Sequence, residues 1–376
     1  AGTLFSWYNI GMEMLKRPRS LRWKRLIRLA LATLLIFALT QEPTLAEYFF
    51  ARGVTRFLTG TIRLITNYIP FSLYELTAIL LIVGCTALAV GIIVLFCRRR
   101  WARLKVWLYR LALVALCILI AFGLLYAPLY NRRSAISALG LTPAEMTEEK
   151  VYAAASYYVE ALNETSAKLS RDTEGNVLPP YSFSQIADLL NGEFDALGSD
   201  YFADFAVRPK QVALSVPMSY LGITGIYFPF YAEANVNVNI PPSQLPTTMA
   251  HEMAHAKGVS QEGEANVVAY VLCICSEDDY LRYSGLMRAA ASLLNALPAE
   301  QFESLYAGLS EEVRREYRNE SAHYDRYEGV IDRISNFFND IFLKANGVEG
   351  GTRSYSATAG SLVALYEKLT AAENAV

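Results

Sequence analysis

The chain has 376 residues, 53% hydrophobic and 19% charged, with a net charge of -2. So much apolar residue with so little charge excludes a disordered chain and is high for a purely water-soluble protein. The small net charge hides a basic N-terminal part, but its Arg and Lys flank apolar runs instead of interleaving with aromatics, so it signals membrane topology and no nucleic-acid groove.

The first apolar run, about Leu26–Thr40, follows Lys16, Arg17, Arg19, Arg22, Lys24, Arg25 and Arg28. A basic start and a short apolar core also fit a signal peptide. No small-residue cleavage site follows cleanly, so an uncleaved span over 24–40 is the preferred reading. Residues 41–70 interleave Phe49, Phe50, Val54, Phe57, Leu58, Ile62 and Ile65 with Arg52, Arg56 and Arg63, as an interfacial helix does. A second run, Leu73–Phe96, is long enough to cross a bilayer and meets Arg98, Arg99, Arg100, Arg103 and Lys105 at its end. The third, Val106–Tyr126, is closed by Pro128. The expected spans are thus about 24–40, 72–96 and 106–127. A short basic loop between spans belongs in the cytoplasm, as does a basic N-terminus. Both placements put everything after Pro128 outside the cytoplasm, with Arg132 and Arg133 as a local exception.

From about Ser134 the composition is that of a globular domain. Helices are expected over 143–169, 184–197, 264–276, 278–297, 299–309, 311–345 and 356–369. Gln211–Val216 and Glu233–Ile240 alternate as strands do, with Asn235, Asn237 and Asn239 on one face of the second. That second strand is a candidate edge for pairing with extended substrate. Cys273 and Cys275, two apart on a helix, cannot easily bridge, and no disulfide framework follows from the five cysteines.

Between these elements lies His251-Glu252-Met253-Ala254-His255, an H-E-x-x-H pattern that uses two of the three histidines in the chain. On a helix, histidines four apart share one face and can reach one metal ion, zinc by preference. Ser243 is the expected N-cap, and Gly258 ends the helix because it tolerates a left-handed turn. A catalytic zinc needs a third protein ligand and an open position. Glu262 is the favoured ligand, with Glu264 the alternative, and Asn266 would hydrogen-bond the outer nitrogen of a ligating histidine. Glu252 is the expected general base, taking a proton from zinc-activated water. The oxyanion needs a further donor, for which His323, Tyr324, Arg353 and Tyr355 are candidates. Gln261 stands where metzincins place a third histidine, which disfavours that class. The polar residues on either side of the motif disfavour an intramembrane site.

The Glu262-x-x-x-Asn266 element resembles the Glu-x-x-x-Asp element of gluzincin metallopeptidases, with Asn in place of Asp. The whole stretch His251–Asn266 resembles the signature of a bacterial membrane-protein family catalogued as domain of unknown function 3810. The likeness extends to Glu233-Ala-Asn-Val-Asn237, Phe342–Val348 and Ser354-Tyr355. It implies a zinc-dependent metallopeptidase in the bacterial inner membrane. The expected fold is a multi-pass α-helical membrane anchor over 1–130, followed by a mainly α (α+β) zincin-like extracytoplasmic domain with a small sheet over 131–376. The expected partners are a peptide or protein substrate and the lipid bilayer, with no nucleic acid. The competing expectations are a non-catalytic zinc-binding domain and an envelope-assembly or interaction protein.

Overall fold

The computed structural model describes residues 19–329 and 352–374. It is mainly helical, with one small sheet. The first helix, α1 (Arg19–Leu39), ends against the later helix α5 (Trp101–Leu125), where Phe37 stacks on Phe122 with ring centroids 6.5 Å apart. Between them come a π-helical segment, α2 (Leu45–Thr55), then α3 (Arg56–Thr66) and α4 (Leu73–Cys97). Among the described residues, α4 and α5 are the two helices long and apolar enough to cross a membrane. The expectation of three such helices is reduced to two. The basic residues Arg19, Arg22, Lys24, Arg25 and Arg28 leave α1 too short an apolar run.

The expected interfacial segment is helical but turned inside out. Arg63 is buried and donates to the carbonyls of Ala206 at 2.7 Å and Ala232 at 3.2 Å. Arg56 donates to Asp200 and Tyr201 carbonyls, each at 2.9 Å. The opposite face exposes Phe57, Leu64, Ile65 and Tyr68. Arg132 and Arg133 also find partners here: Arg132 lies 3.0 Å from buried Glu47, and Arg133 lies 2.7 Å from Asp200. These ion pairs explain why two arginines sit where topology alone would not put them.

The remaining elements pack as a helical layer on the sheet. A 3-10 turn (Ala127–Asn131) leads to a short α6 (Ala135–Ala138), then α7 (Glu148–Ser166), capped by Thr147, and α8 (Phe183–Ala196), opened by a Ser182–Gln185 capping box. Next come β1 (Lys210–Val212), α9 (Ser215–Tyr220), β2 (Gly225–Phe228) and β3 (Glu233–Asn237). Helices α10 (Leu245–Ala256), α11 (Glu262–Cys275), α12 (Asp279–Leu294), α13 (Ala299–Ala307), α14 (Glu311–Asp325) and α15 (Thr352–Glu373) complete the described chain. Met249 and Met253 of α10, Val267 and Leu272 of α11, Leu286 of α12 and Tyr158 of α7 meet in one buried core. That core fixes the face of α10 opposite its histidines.

The strand order is β1-β3-β2, with β3 parallel to β1 and antiparallel to β2. This corrects the expectation for Glu233–Ile240: the strand stops at Asn237, is buried throughout and is paired on both sides. The free edge beside α10 belongs to β2.

Candidate metal centre

Helix α10 presents its two histidines as their spacing requires. His251 Nε2 and His255 Nε2 lie 3.0 Å apart. The chain leaves α10 through Gly258, at φ +107°, where a side chain would be strained. The Val259 N–H bonds back to the Ala254 carbonyl at 3.0 Å, closing the helix end. Ser243 does not cap α10 as expected. A 3-10 turn (Pro242–Gln244) precedes the helix, and the Ser243 hydroxyl donates to Glu320 at 2.6 Å.

The turn at Gly258 brings the first residue of α11 back under the histidines. Glu262 Oε2 lies 3.1 Å from His251 Nε2 and 3.5 Å from His255 Nε2. The three ligand atoms all fall within 4.8 Å of one another. Glu264 is drawn elsewhere: its Oε2 accepts the Ala135 N–H of α6 at 3.0 Å. Of the two glutamates, Glu262 is the one whose carboxylate lies with the histidines.

His255 Nδ1 lies 2.7 Å from the Val259 carbonyl. A carbonyl can only accept, so Nδ1 carries the hydrogen and, in the neutral ring, Nε2 turns its lone pair into the cluster. Asn266 is the side chain expected to hold the outer nitrogen of a ligating histidine; at His255 the carbonyl provided by the tight turn takes that place, and Asn266 lines the cleft beside the cluster.

Glu252 is buried, and its Oε2 has no hydrogen-bond partner. Burial pushes its carboxyl up to about 7, against the pull of the two imidazoles. Gly225, at the start of β2, lies directly over it: a Cβ there would come within 2.7 Å of the Glu252 side-chain carbons. Burial pulls His255 down, but the carboxylate of Glu262 outweighs it and leaves the imidazole raised to about 9. Glu262 is affected by the same pairing: burial opposes its ionisation, yet the imidazoles hold it well below the usual carboxylate range. A pocket that gathers two imidazoles and two carboxylates so closely is chemically suited to a divalent cation.

The cluster opens into a cleft of about 880 Å³. Its walls include Tyr126, Tyr130, Tyr270 and Arg288, none of which belongs to a local motif. Tyr126 and Tyr130 are four apart just beyond α5, with ring centroids 5.5 Å apart. That spacing is the one signal that could have drawn attention to them. Burial, helped by the carboxylate of Glu262, raises the Tyr130 phenol well above its ordinary value. Arg288 pairs with Glu320.

The structure does not bring His323 to this cluster. Its Nε2 lies 3.0 Å from the Asn239 carbonyl, and its ring packs against Tyr324 and Tyr327. The Tyr324 hydroxyl donates to Gln244, a residue of the cleft wall. Tyr355 and Arg353 fall in the first turn of α15, but their side chains lie outside the described residues, as does the whole of Phe342–Val348.

No curated protein and no solved structure matches the chain. A family model, described as "Protein of unknown function (DUF3810)", matches residues 50–363, a stretch that holds α4, α5, the sheet and the complete His251–His255–Glu262 cluster, and the chain belongs to that family.

Proposed function

We propose that this protein is a membrane-anchored zinc metallopeptidase that hydrolyses peptide bonds outside the cytoplasm. His251, His255 and Glu262 would hold the metal. The observation that carries the reading is the His255 tautomer: the Val259 carbonyl holds Nδ1–H, and the other nitrogen points at His251 and Glu262. Glu252, buried with a free carboxylate oxygen, is the second support. When bound, zinc lowers the pKa of its water towards about 7 and polarises a carbonyl.

Glu252 is the general base: its carboxylate takes the proton of the attacking water and returns it to the leaving amine. A carboxyl titrating near neutrality suits both transfers. Gly225 keeps that carboxylate against the start of β2. Tyr130 replaces His323 as the preferred hydrogen-bond donor to the developing oxyanion, because its protonated phenol lines the same cleft. The free edge of β2 is where an extended substrate would pair.

The membrane reading follows the same charges as before. Helices α4 and α5 form a hairpin whose basic turn, Arg98–Arg100, belongs in the cytoplasm. Helix α1 packs against α5 and adds no further span. The domain then faces away from the cytoplasm across a bacterial inner membrane.

The test is metal analysis and turnover of the purified full-length protein. About one zinc per chain is expected, lost in His255→Ala. Glu252→Gln should keep the metal and lower hydrolysis on the order of 10³-fold. Hydrolysis surviving that change would remove Glu252 from its role, and a wild-type protein that binds no zinc would sink the reading.

A further inference from the structure

The metal cluster and the two long apolar helices are joined by one short strand. Strand β2 begins at Gly225, against the Glu252 carboxylate, and ends at Phe228. The Phe228 ring lies 5.3 Å from that of Tyr74, in the first turn of α4. Three residues of strand span about 10 Å. The same end of α4 is fastened twice more: Leu73 and Tyr74 N–H donate to Glu233 of β3 at 3.0 and 3.2 Å, and Thr77 pairs with the hydroxyl of Tyr231, in the turn between β2 and β3, at 2.9 Å.

The wall of the cleft continues in the same direction. Ile118, Leu119 and Phe122 of α5 line it together with Phe228 and Phe230. Ile118 and Leu119 are 51% and 42% exposed. They lie about 10 Å back from the end of α5, a depth that falls inside the hydrocarbon of a bilayer crossed by that helix. The cleft is thus charged at its inner end and apolar where it meets the helices. Phe57, Leu64 and Ile65 of α3 are exposed as well, while its arginines face the protein.

The geometry points to a substrate class: the segment of a membrane-anchored polypeptide just outside its own apolar span, laid along the free edge of β2. This rests on the peptidase reading above. The chain leaving the bilayer would first pass the aromatic end of β2 and then reach Glu252 about three residues later. The cut would therefore fall roughly three to six residues outside the substrate's span. The C–N bond breaks, the water oxygen joins the carbonyl carbon as a carboxylate, and a water proton passes to the departing amine. A freely soluble peptide gains nothing from the apolar wall and is not held near the edge by a shared bilayer.

The probe is a pool of synthetic polypeptides, each with a leucine–alanine helix of about 20 residues followed by a randomised tail of roughly 15. A second pool has the tails alone, and a third inserts a flexible spacer of about 15 residues after the helix. Full-length zinc-loaded protein is placed in phosphatidylethanolamine–phosphatidylglycerol nanodiscs, and products are read by mass spectrometry. Cleavage of the first pool should exceed that of the second by tenfold or more, by order of magnitude. Its cuts should cluster roughly three to six residues from the helix, and in the spacer pool they should stay at that distance and fall within the spacer. Phe230→Ser should lower cleavage of anchored tails more than of free ones. Equal cleavage of anchored and free tails, or cuts scattered along the tail, would overturn the proposal. A photo-crosslinking version of the first pool, read on Glu252→Gln protein, separates docking from turnover. Crosslinks to β2 without hydrolysis by the wild type would uphold the docking surface and defeat the peptidase reading. Absence of both would overturn the docking surface as well.

Discussion

Helices α10 and α3 both bury ionisable side chains, and they do so for opposite reasons. In α10, Glu252 and His255 are buried at the wall of a cleft, close to His251 and Glu262, where a cation can neutralise the excess of carboxylate. In α3, Arg63 is buried among backbone carbonyls with no carboxylate partner, and burial lowers its guanidinium to about 10. The apolar side of α3 faces outward instead, with Leu64 71% exposed. The contrast teaches that hydrophobic periodicity reports a helix and its two faces but not the solvent each face meets. On α10 the outside is the apolar protein core. On α3 the apolar side faces away from the protein.

The comparison breaks most readily at the ion pairs that hold α2, α3 and the Gly258 turn together. Arg132 donates to Glu47 and also to the Gly258 carbonyl at 3.0 Å, so it links the N-terminal segment to the end of the metal helix. Its side chain is 2% exposed and that of Glu47 is 5%. Arg132→Ala leaves Glu47 with Arg52 at 2.7 Å and Arg133 at 3.5 Å but strips the donor from the Gly258 and Tyr201 carbonyls, and should destabilise by about 2–4 kcal/mol. Thermal unfolding in detergent measures this. If the single variant costs under about 1 kcal/mol, the segment is held by its apolar contacts and not by charge.

The next effect is catalytic. Gly225→Ala drives a methyl group into Glu252. Under the peptidase reading, displacing Glu252 by about 1 Å should cost roughly a hundredfold in turnover. Bound zinc should be unchanged, since none of the three ligands is touched. Equal loss of metal and activity would mean that Gly225 supports the fold of the site and not the position of the base.

Gly258→Ala is smaller. The φ of +107° and an Arg132 nitrogen 2.7 Å from the new Cβ predict a loss of about 1–3 kcal/mol, read by chemical unfolding. Zinc affinity should fall too, because this turn presents the Val259 carbonyl to His255 and returns Glu262 to the cluster. Unaltered zinc affinity would remove the turn from the site's support.

How far the sequence disclosed these features follows from the range of each interaction. The histidine pair and Glu252 were legible because their spacing alone puts them together. Glu262 and Glu264 were inseparable because the deciding contact, the Ala135 N–H on Glu264, comes from 129 residues away. The partner of the outer nitrogen of His255 was not legible, because a backbone carbonyl takes it and composition does not reveal carbonyls. The edge strand was missed because Gly225-Ile226-Tyr227-Phe228 is four residues, closed by Pro229, too short to show alternation. Without β2, the longer run at Glu233 looked like the edge. Tyr130 and Arg288 reach the cleft only through tertiary packing. The helices are the other extreme: the second apolar run and α4 agree to within a residue, because local hydropathy sets both.

The smallest effect tests the outward face of α3. Leu64→Trp places an indole on a side chain that contacts little protein, so stability should change by no more than about 0.5 kcal/mol. In nanodiscs the added emission should be quenched by brominated lipid, as the membrane reading expects of an exposed apolar helix face. Glu160→Trp, on the exposed side of α7, provides the water-facing reference and should not be quenched. Difference spectra against the wild type remove the four native tryptophans. Quenching at 64 alone would mean that the arginines of α3 turn inward because lipid occupies the other side. Equal behaviour at both positions would mean that α3 exposes its apolar residues to water, and the contrast with α10 would then lose its physical basis.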